Sequence, residues 1–321
     1  MRNPEATFLF ARHTKKQKKP GEGSEISGKF YEGITPEGEE LVREKTRTAM
    51  LEVIENSEPG SVIVFAGKSD LIRTGSTSDV SVDELGKILA DRNDEFVIMS
   101  KDDIDRAVEP AHESRRSMMS GIAAANPDKK VIMSYPLALK EFSLVQPDNG
   151  PRANTPDWKT GGKDEKFTPY LTELMRRANN EEAEAVSLWI ESGGKFTMED
   201  GTVVEGPDPT GTAKDYTTAL MRLNKVTGEL FPGRPRVVEA TTHSWDVDVF
   251  IAYATHNGKL DRDAFEEIAK GDQETDPSII SEFEFPVIKL GKSGGTIDYR
   301  GKRYQINSPE FTFDNDKNDE E

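Results

Sequence analysis

The apolar positions of this chain fall into short runs set between helical stripes. Residues 7–11 are a brief apolar run with polar neighbours and predict a buried strand. Runs at 61–66, 96–99, 131–134 and 236–241 predict four more. Between them the spacing changes. Thr35-Pro36-Glu37 has a hydroxyl cap, a proline for the first turn and an acid near the N-terminus, which together signal a helix start. Val42, Ala49, Met50 and Val53 share one face of a helix running to about residue 57. Further helices are predicted over 82–90, over 104–125 with Pro110 as a kink, over 168–190 with Gly193-Gly194 as the stop, within 208–226, and from about Asp246. Towards the end the period drops to two. Phe283, Phe285, Val287 and Lys289 alternate with their neighbours, Gly294-Gly295 intervenes, and residues 296–306 complete a hairpin or an edge pair. Residues 146–166, rich in Pro, Gly, Asp and Lys, predict a loop or lid.

Alternating strands and helices predict an α/β three-layer sandwich: a mostly parallel central sheet, helices on both faces, a helical insertion or lid and a C-terminal β-hairpin. Residues 1–313 are expected to form one such domain, with 144–235 as the insertion, and the acidic residues 314–321 as a disordered tail that cannot bury enough apolar surface to fold. No internal repeat is visible. Ligands of such sheets bind beyond the carboxyl ends of the strands, so the residues just after each strand matter most.

Composition narrows the function. The 321 residues can bury a large core, and 31% of them are charged. With 42 basic against 59 acidic residues the net charge is -17, which repels nucleic acid and repels anionic ligands at long range. An anion can be held only by a local positive pocket. The absence of cysteine excludes disulfides and thiolate-held metals. The apolar run at 8–11 is too short for a secretory leader and no run approaches membrane-spanning length, so a soluble, cytoplasmic protein without a membrane partner is expected.

Three strand ends carry the candidate chemistry. The first ends at Arg12-His13, the second leads to Ser69 and Arg73, and the strand at 236–241 leads to His243. Two arginines and two histidines at strand ends suit phosphoryl transfer. Guanidinium forks match phosphate oxygens, a neutral imidazole can attack phosphorus, and preorganised donors stabilise the transition-state charge. A leaving alkoxide needs a proton, which a carboxylic acid supplies. Of the other histidines, His112 reads as a surface residue among charges, and His256, before Asn257-Gly258, as a helix C-terminus. Lys15, Lys16, Lys18 and Lys19 form either a solvated loop or a steering patch for an anion. No metal-ligand spacing and no Walker-type loop is present, so no metal or nucleotide cofactor is expected.

These segments resemble the histidine phosphatase, or phosphoglycerate mutase-like, superfamily. Phe8-Leu9-Phe10-Ala11-Arg12-His13-Thr14 resembles its opening Arg-His-Gly signature, with Thr14 in place of the glycine. Gly33-Ile34-Thr35-Pro36-Glu37-Gly38 resembles the helix start that follows. Ser69-Asp70-Leu71-Ile72-Arg73-Thr74 resembles the segment with the second arginine, and Ala240-Thr241-Thr242-His243-Ser244 the late histidine motif, with Ser244-Trp245 in place of two glycines. The resemblance implies that His13 is the nucleophile, that Arg12, Arg73 and His243 bind the phosphoryl group, and that Glu141, in Pro136-Leu137-Ala138-Leu139-Lys140-Glu141, is the proton donor. Glu109 and Glu113 are substitutes for that acid. The implied activity is hydrolysis of a small phosphorylated substrate through a phosphohistidine. The alternatives are a phosphomutase and a catalytically silent phospho-ligand binder on the same fold.

Overall fold

The computed structural model describes residues 6–14, 23–25, 30–66, 72–100, 102–104, 106, 115–134, 145–146, 150–151, 167–242, 244–271, 278–291 and 294–311. The chain divides into two compact units. The first comprises Met1–Leu139, Arg222–Thr242 and Glu282–Lys292; the second comprises Lys140–Met221, His243–Ser281 and Ser293–Glu321.

In the first unit the chain forms strand β1 (Ala6–Arg12), helix α1 (Pro36–Lys45), a π-helical turn (Thr46–Met50), helix α2 (Leu51–Glu55), strand β2 (Val62–Phe65), helix α3 (Ile72–Ile88), strand β3 (Phe96–Met99), helix α4 (Arg115–Ala125), strand β4 (Lys130–Ser134), strand β5 (Arg236–Thr242) and strand β6 (Val287–Leu290). These six strands lie in the order β6-β1-β5-β2-β4-β3. All neighbours are parallel except β6, which runs antiparallel to β1. The expected mostly parallel sheet is therefore present. Alternation across the pleat sends Leu9, Ala11, Ile63, Phe65 and Val237 to one face, where they meet Val42 of α1, Met50 of the π-helical turn, Ile54 of α2, and Val80 and Leu85 of α3. Phe8, Phe10, Val64 and Val238, on the other face, are equally buried. The start of α1 is as read from the sequence: the Gly38 amide donates to Thr35 Oγ1 at 3.1 Å. Within this layer the Arg43 guanidinium, 3% exposed, joins Glu39 at 2.6 Å and Glu84 at 2.8 Å.

Helix α3 departs from expectation. It begins ten residues before the 82–90 helix predicted from the sequence and runs through Gly75-Ser76-Thr77-Ser78. Small hydroxyl residues are poor helix formers when solvated, because they compete for the backbone. Here Ser76, Thr77, Ser78 and Ser81 are buried, and the hydroxyls of Ser78 and Ser81 find partners inside the protein. Ser81 donates to the Thr77 carbonyl and Thr46 to Ser81, both at 3.3 Å. Tertiary contacts outweigh the local preference.

The second unit holds α5 (Thr168–Arg177), α6 (Glu182–Ser192), α7 (Pro209–Leu230, whose residues from Arg222 belong to the first unit), α8 (Ser244–Thr255), α9 (Arg262–Lys270) and strands β7 (Gly295–Tyr299) and β8 (Lys302–Ile306). The single helix expected over 168–190 is two helices. Asn179 and Asn180 adopt φ of 50° and 64°, a left-handed conformation that asparagine tolerates and a helix cannot continue. Gly193, at φ 58°, stops α6 as expected. A C-terminal hairpin is present, and a turn joins β7 to β8. It is at Arg300-Gly301, whose positive φ values of 50° and 79° make the primed turn that fits strand twist. Arg300 is an unusual residue for that conformation. Its guanidinium donates to the carbonyls of Ala269, Ser278 and Ile279, which hold it there. Every residue of α8 is buried, including Asp246 and Asp248, the latter accepting from the Ile280 amide at 3.2 Å. Among the described residues no helix is long and apolar enough to cross a membrane.

Candidate functional site

The end of β1 is held on both sides. The Arg12 amide donates to the Glu284 carbonyl at 3.2 Å, and the Arg12 carbonyl accepts from Phe283 at 2.9 Å. On the other flank Arg12 is in register with Thr242, and the His13 amide donates to the Thr242 carbonyl at 3.0 Å. The backbone of Arg12-His13 is thus fixed at the carboxyl ends of two adjacent parallel strands, where an α/β sheet offers its ligand site.

The His13 ring is also oriented. Its Nδ1 lies 2.8 Å from the Thr14 carbonyl oxygen. A carbonyl can only accept, so Nδ1 carries the proton. In the neutral ring this leaves the lone pair on Nε2, the state a nucleophile needs. Both Arg12 and His13 are half-buried, whereas Thr14 is fully buried.

Of the other expected site residues, Arg73 falls in the first turn of α3, and only its backbone is described. His243 and Glu141 lie outside the described residues, as do Glu109, His112, Glu113 and the lysines at 15–19. The described structure therefore brings Arg12 and His13 to the end of β5, just before position 243. His256 ends a helix as read: its Nδ1 donates to the Ala252 carbonyl at 3.0 Å, and Nε2 is 3.3 Å from Glu267. A groove of about 1060 Å³ runs along β3, lined by Asp79, Asp83, Lys87, Phe96 and Ser100 among others, and includes neither Arg12 nor His13.

The sequence reading missed one group. Glu239 sits in the middle of β5, fully buried, on the face that carries Val237. Thr241 Oγ1 donates to its Oε1 at 2.6 Å and Ser78 Oγ lies 3.0 Å from its Oε2. Burial pushes its carboxyl up to about 7, although the two hydroxyls pull the other way. The signal was available: one acid within Val237-Val238-Glu239-Ala240-Thr241, a strand otherwise apolar or hydroxylic, has to be buried.

No family model and no curated protein matches the sequence. Solved structures similar to the chain include a phosphoglycerate mutase from Bacillus anthracis, 9% identical, with 94% of each chain covered and a TM-score of 0.40. A mycobacterial glucosyl-3-phosphoglycerate phosphatase in complex with inorganic phosphate is 12% identical over 93% of this chain and 97% of that one, at a TM-score of 0.39. A putative alpha-ribazole-5'-P phosphatase from Escherichia coli is 11% identical over 95% and 98%, at 0.36.

Proposed function

We propose that this protein hydrolyses a phosphomonoester through a phosphohistidine on His13. The observation that carries the reading is the His13 ring, set at the carboxyl end of β1 with Nδ1 hydrogen-bonded to the Thr14 carbonyl and Nε2 left with its lone pair. Nε2 attacks phosphorus and the bond to the alkoxide leaving group breaks. Glu141 gives that alkoxide a proton. Water then cleaves the phosphorus–nitrogen bond, releasing inorganic phosphate and the free imidazole. Arg12, Arg73 and His243 are assigned to the phosphoryl oxygens, where their charge offsets the acidity of the whole chain. Motif order and the resemblance of the four segments support these assignments. The test is hydrolysis of an aryl phosphate by wild type and by His13→Ala, with acid-stable and acid-labile phosphoprotein measured after a rapid quench. Equal rates in the two proteins, or an acid-stable phosphoprotein, would sink the proposal.

A further inference from the structure

Glu239, Ser78 and Thr241 form a ring of three oxygen contacts. Thr241 Oγ1 is 2.6 Å from Glu239 Oε1, Ser78 Oγ is 3.0 Å from Glu239 Oε2, and the two hydroxyl oxygens are 3.1 Å apart. Three contacts need three protons, and two hydroxyls supply only two. With an ionised carboxylate both hydroxyls would donate to it, and Ser78 and Thr241 would face each other with no proton between them. With a neutral carboxylic acid the ring closes. Glu239 donates to Ser78, Ser78 to Thr241, and Thr241 back to Glu239. Each group then donates once and accepts once.

The ring joins two elements that matter for the anion site. Ser78 lies on α3, whose first turn contains Arg73, and Glu239 and Thr241 lie on β5, whose Thr242 carbonyl receives the His13 amide. We propose that the neutral Glu239 carboxylic acid is a positioning residue, clamping α3 to β5 so that Arg73 and His13 are held for one anion. What that anion is rests on the function proposed above.

The surroundings agree with a neutral acid. Leu9 of β1 and Phe65 of β2 flank Glu239 in register, and α3 presents Ser78; none of these titrates. No charged side chain among the described residues acts on Glu239: burial raises its carboxyl, and Ser78 and Thr241 are its only other influences. The charged residues on these elements include Arg12 at the end of β1, Arg73 in the first turn of α3, and Asp79, which follows Ser78 and accepts from Ser134 Oγ at 3.4 Å. As pH rises past about 7, ionisation opens the ring and places a negative charge beneath a site for anions.

The experiment compares wild type with Glu239→Gln. Glutamine keeps the ring at every pH, because its amide N–H donates to Ser78 and its carbonyl accepts from Thr241. Tungstate affinity by calorimetry and kcat/KM on an aryl phosphate are measured from about pH 6 to about pH 9. Histidine titrations occur in both proteins, so the difference between them isolates Glu239. Wild type is expected to lose up to about tenfold per pH unit above about 7, with a flatter profile in Glu239→Gln. Thr241→Val, which opens the ring at all pH values, should bind tungstate more weakly than wild type even at the acid end. Parallel profiles for wild type and Glu239→Gln would overturn the proposal. If Glu239→Gln does not fold, infrared spectra of wild type decide: a carboxylic-acid carbonyl band must fade in step with tungstate affinity, and its absence at acid pH overturns the proposal. Tungstate binding without hydrolysis would overturn the hydrolase reading alone, and the pH difference in binding would still judge Glu239. Neither binding nor hydrolysis at any pH would overturn both.

Discussion

Replacing Glu239 by glutamine should change how folding stability depends on pH. An ordinary glutamate ionises near 4.5, whereas burial raises this one to about 7. Between those values the unfolded chain has released its proton and the folded protein has kept it. The unfolded state therefore binds fewer protons, and stability falls as pH rises. The contribution is fully present below about pH 4.5 and is gone once pH has passed through about 7. At about 1.4 kcal/mol per unit over about 2.5 units, the loss is about 3 kcal/mol, an order-of-magnitude figure. Full burial means that solvent screening does not discount it. Glutamine has no such titration. Its second amide hydrogen lacks a ring partner and costs about 1–3 kcal/mol, but equally at every pH. The assay is urea unfolding of both proteins at about pH 5 and about pH 8, where the stability difference should shift in favour of the variant by about 2–3 kcal/mol. Equal slopes would refute the neutral acid. A shift in favour of wild type would mean an ionised, stabilised carboxylate and would refute the proton count of the ring.

Other expectations concern separate parts of the molecule. His13→Ala should fold normally, lower kcat on an aryl phosphate by about a thousandfold or more, and yield no acid-labile phosphoprotein. Arg43→Met removes the buried cation that joins the buried carboxylates of Glu39 and Glu84, and should cost about 3–5 kcal/mol, read from the urea midpoint. Arg300→Asn puts a better residue in a left-handed turn position, yet should destabilise by about 2 kcal/mol, because three carbonyls lose their guanidinium donors. Thermal melts of that variant decide whether turn preference or the tertiary bonds dominate.

The sheet was legible because its strands are near-continuous apolar runs, as strands buried on both faces must be. The run at 7–11 became β1 and that at 236–241 became β5, each within one residue or so. Errors arose where local preference and packing disagree. Ser76, Thr77 and Ser78 look like loop residues, but all three are buried in a helix, with Ser78 bonded to Glu239. Arg300 gives no turn signal, because what fixes it is three carbonyls at 269, 278 and 279. The opposite error joined α5 to α6 across Asn179-Asn180, where a helical apolar stripe continues past a backbone that has left the helix. The placement of Arg12 and His13 at the end of β1 was readable because an apolar run directly precedes them. The ring tautomer was not, since it depends on a carbonyl one residue away. Glu239 was visible as an acid in an apolar strand, but its partner Ser78 is far off in sequence and no local pattern announces it.

The pairing of β1 has a consequence for how the molecule is made. Both neighbours of β1 come from late in the chain, β5 ending at Thr242 and β6 at Leu290. Until residue 242 is synthesised, Phe8, Leu9 and Phe10 have no strand to pair with on either side. At about 5–20 residues per second, some 230 residues take on the order of ten seconds to a minute. During that interval β1 is an apolar strand with two open edges, the kind of segment that invites aggregation or a chaperone. The His13 amide finds the Thr242 carbonyl only when the wait is over. His13 is thus translated some 230 residues before the strand that receives its amide, so a ribosome stalled before β5 leaves the end of β1 without that neighbour.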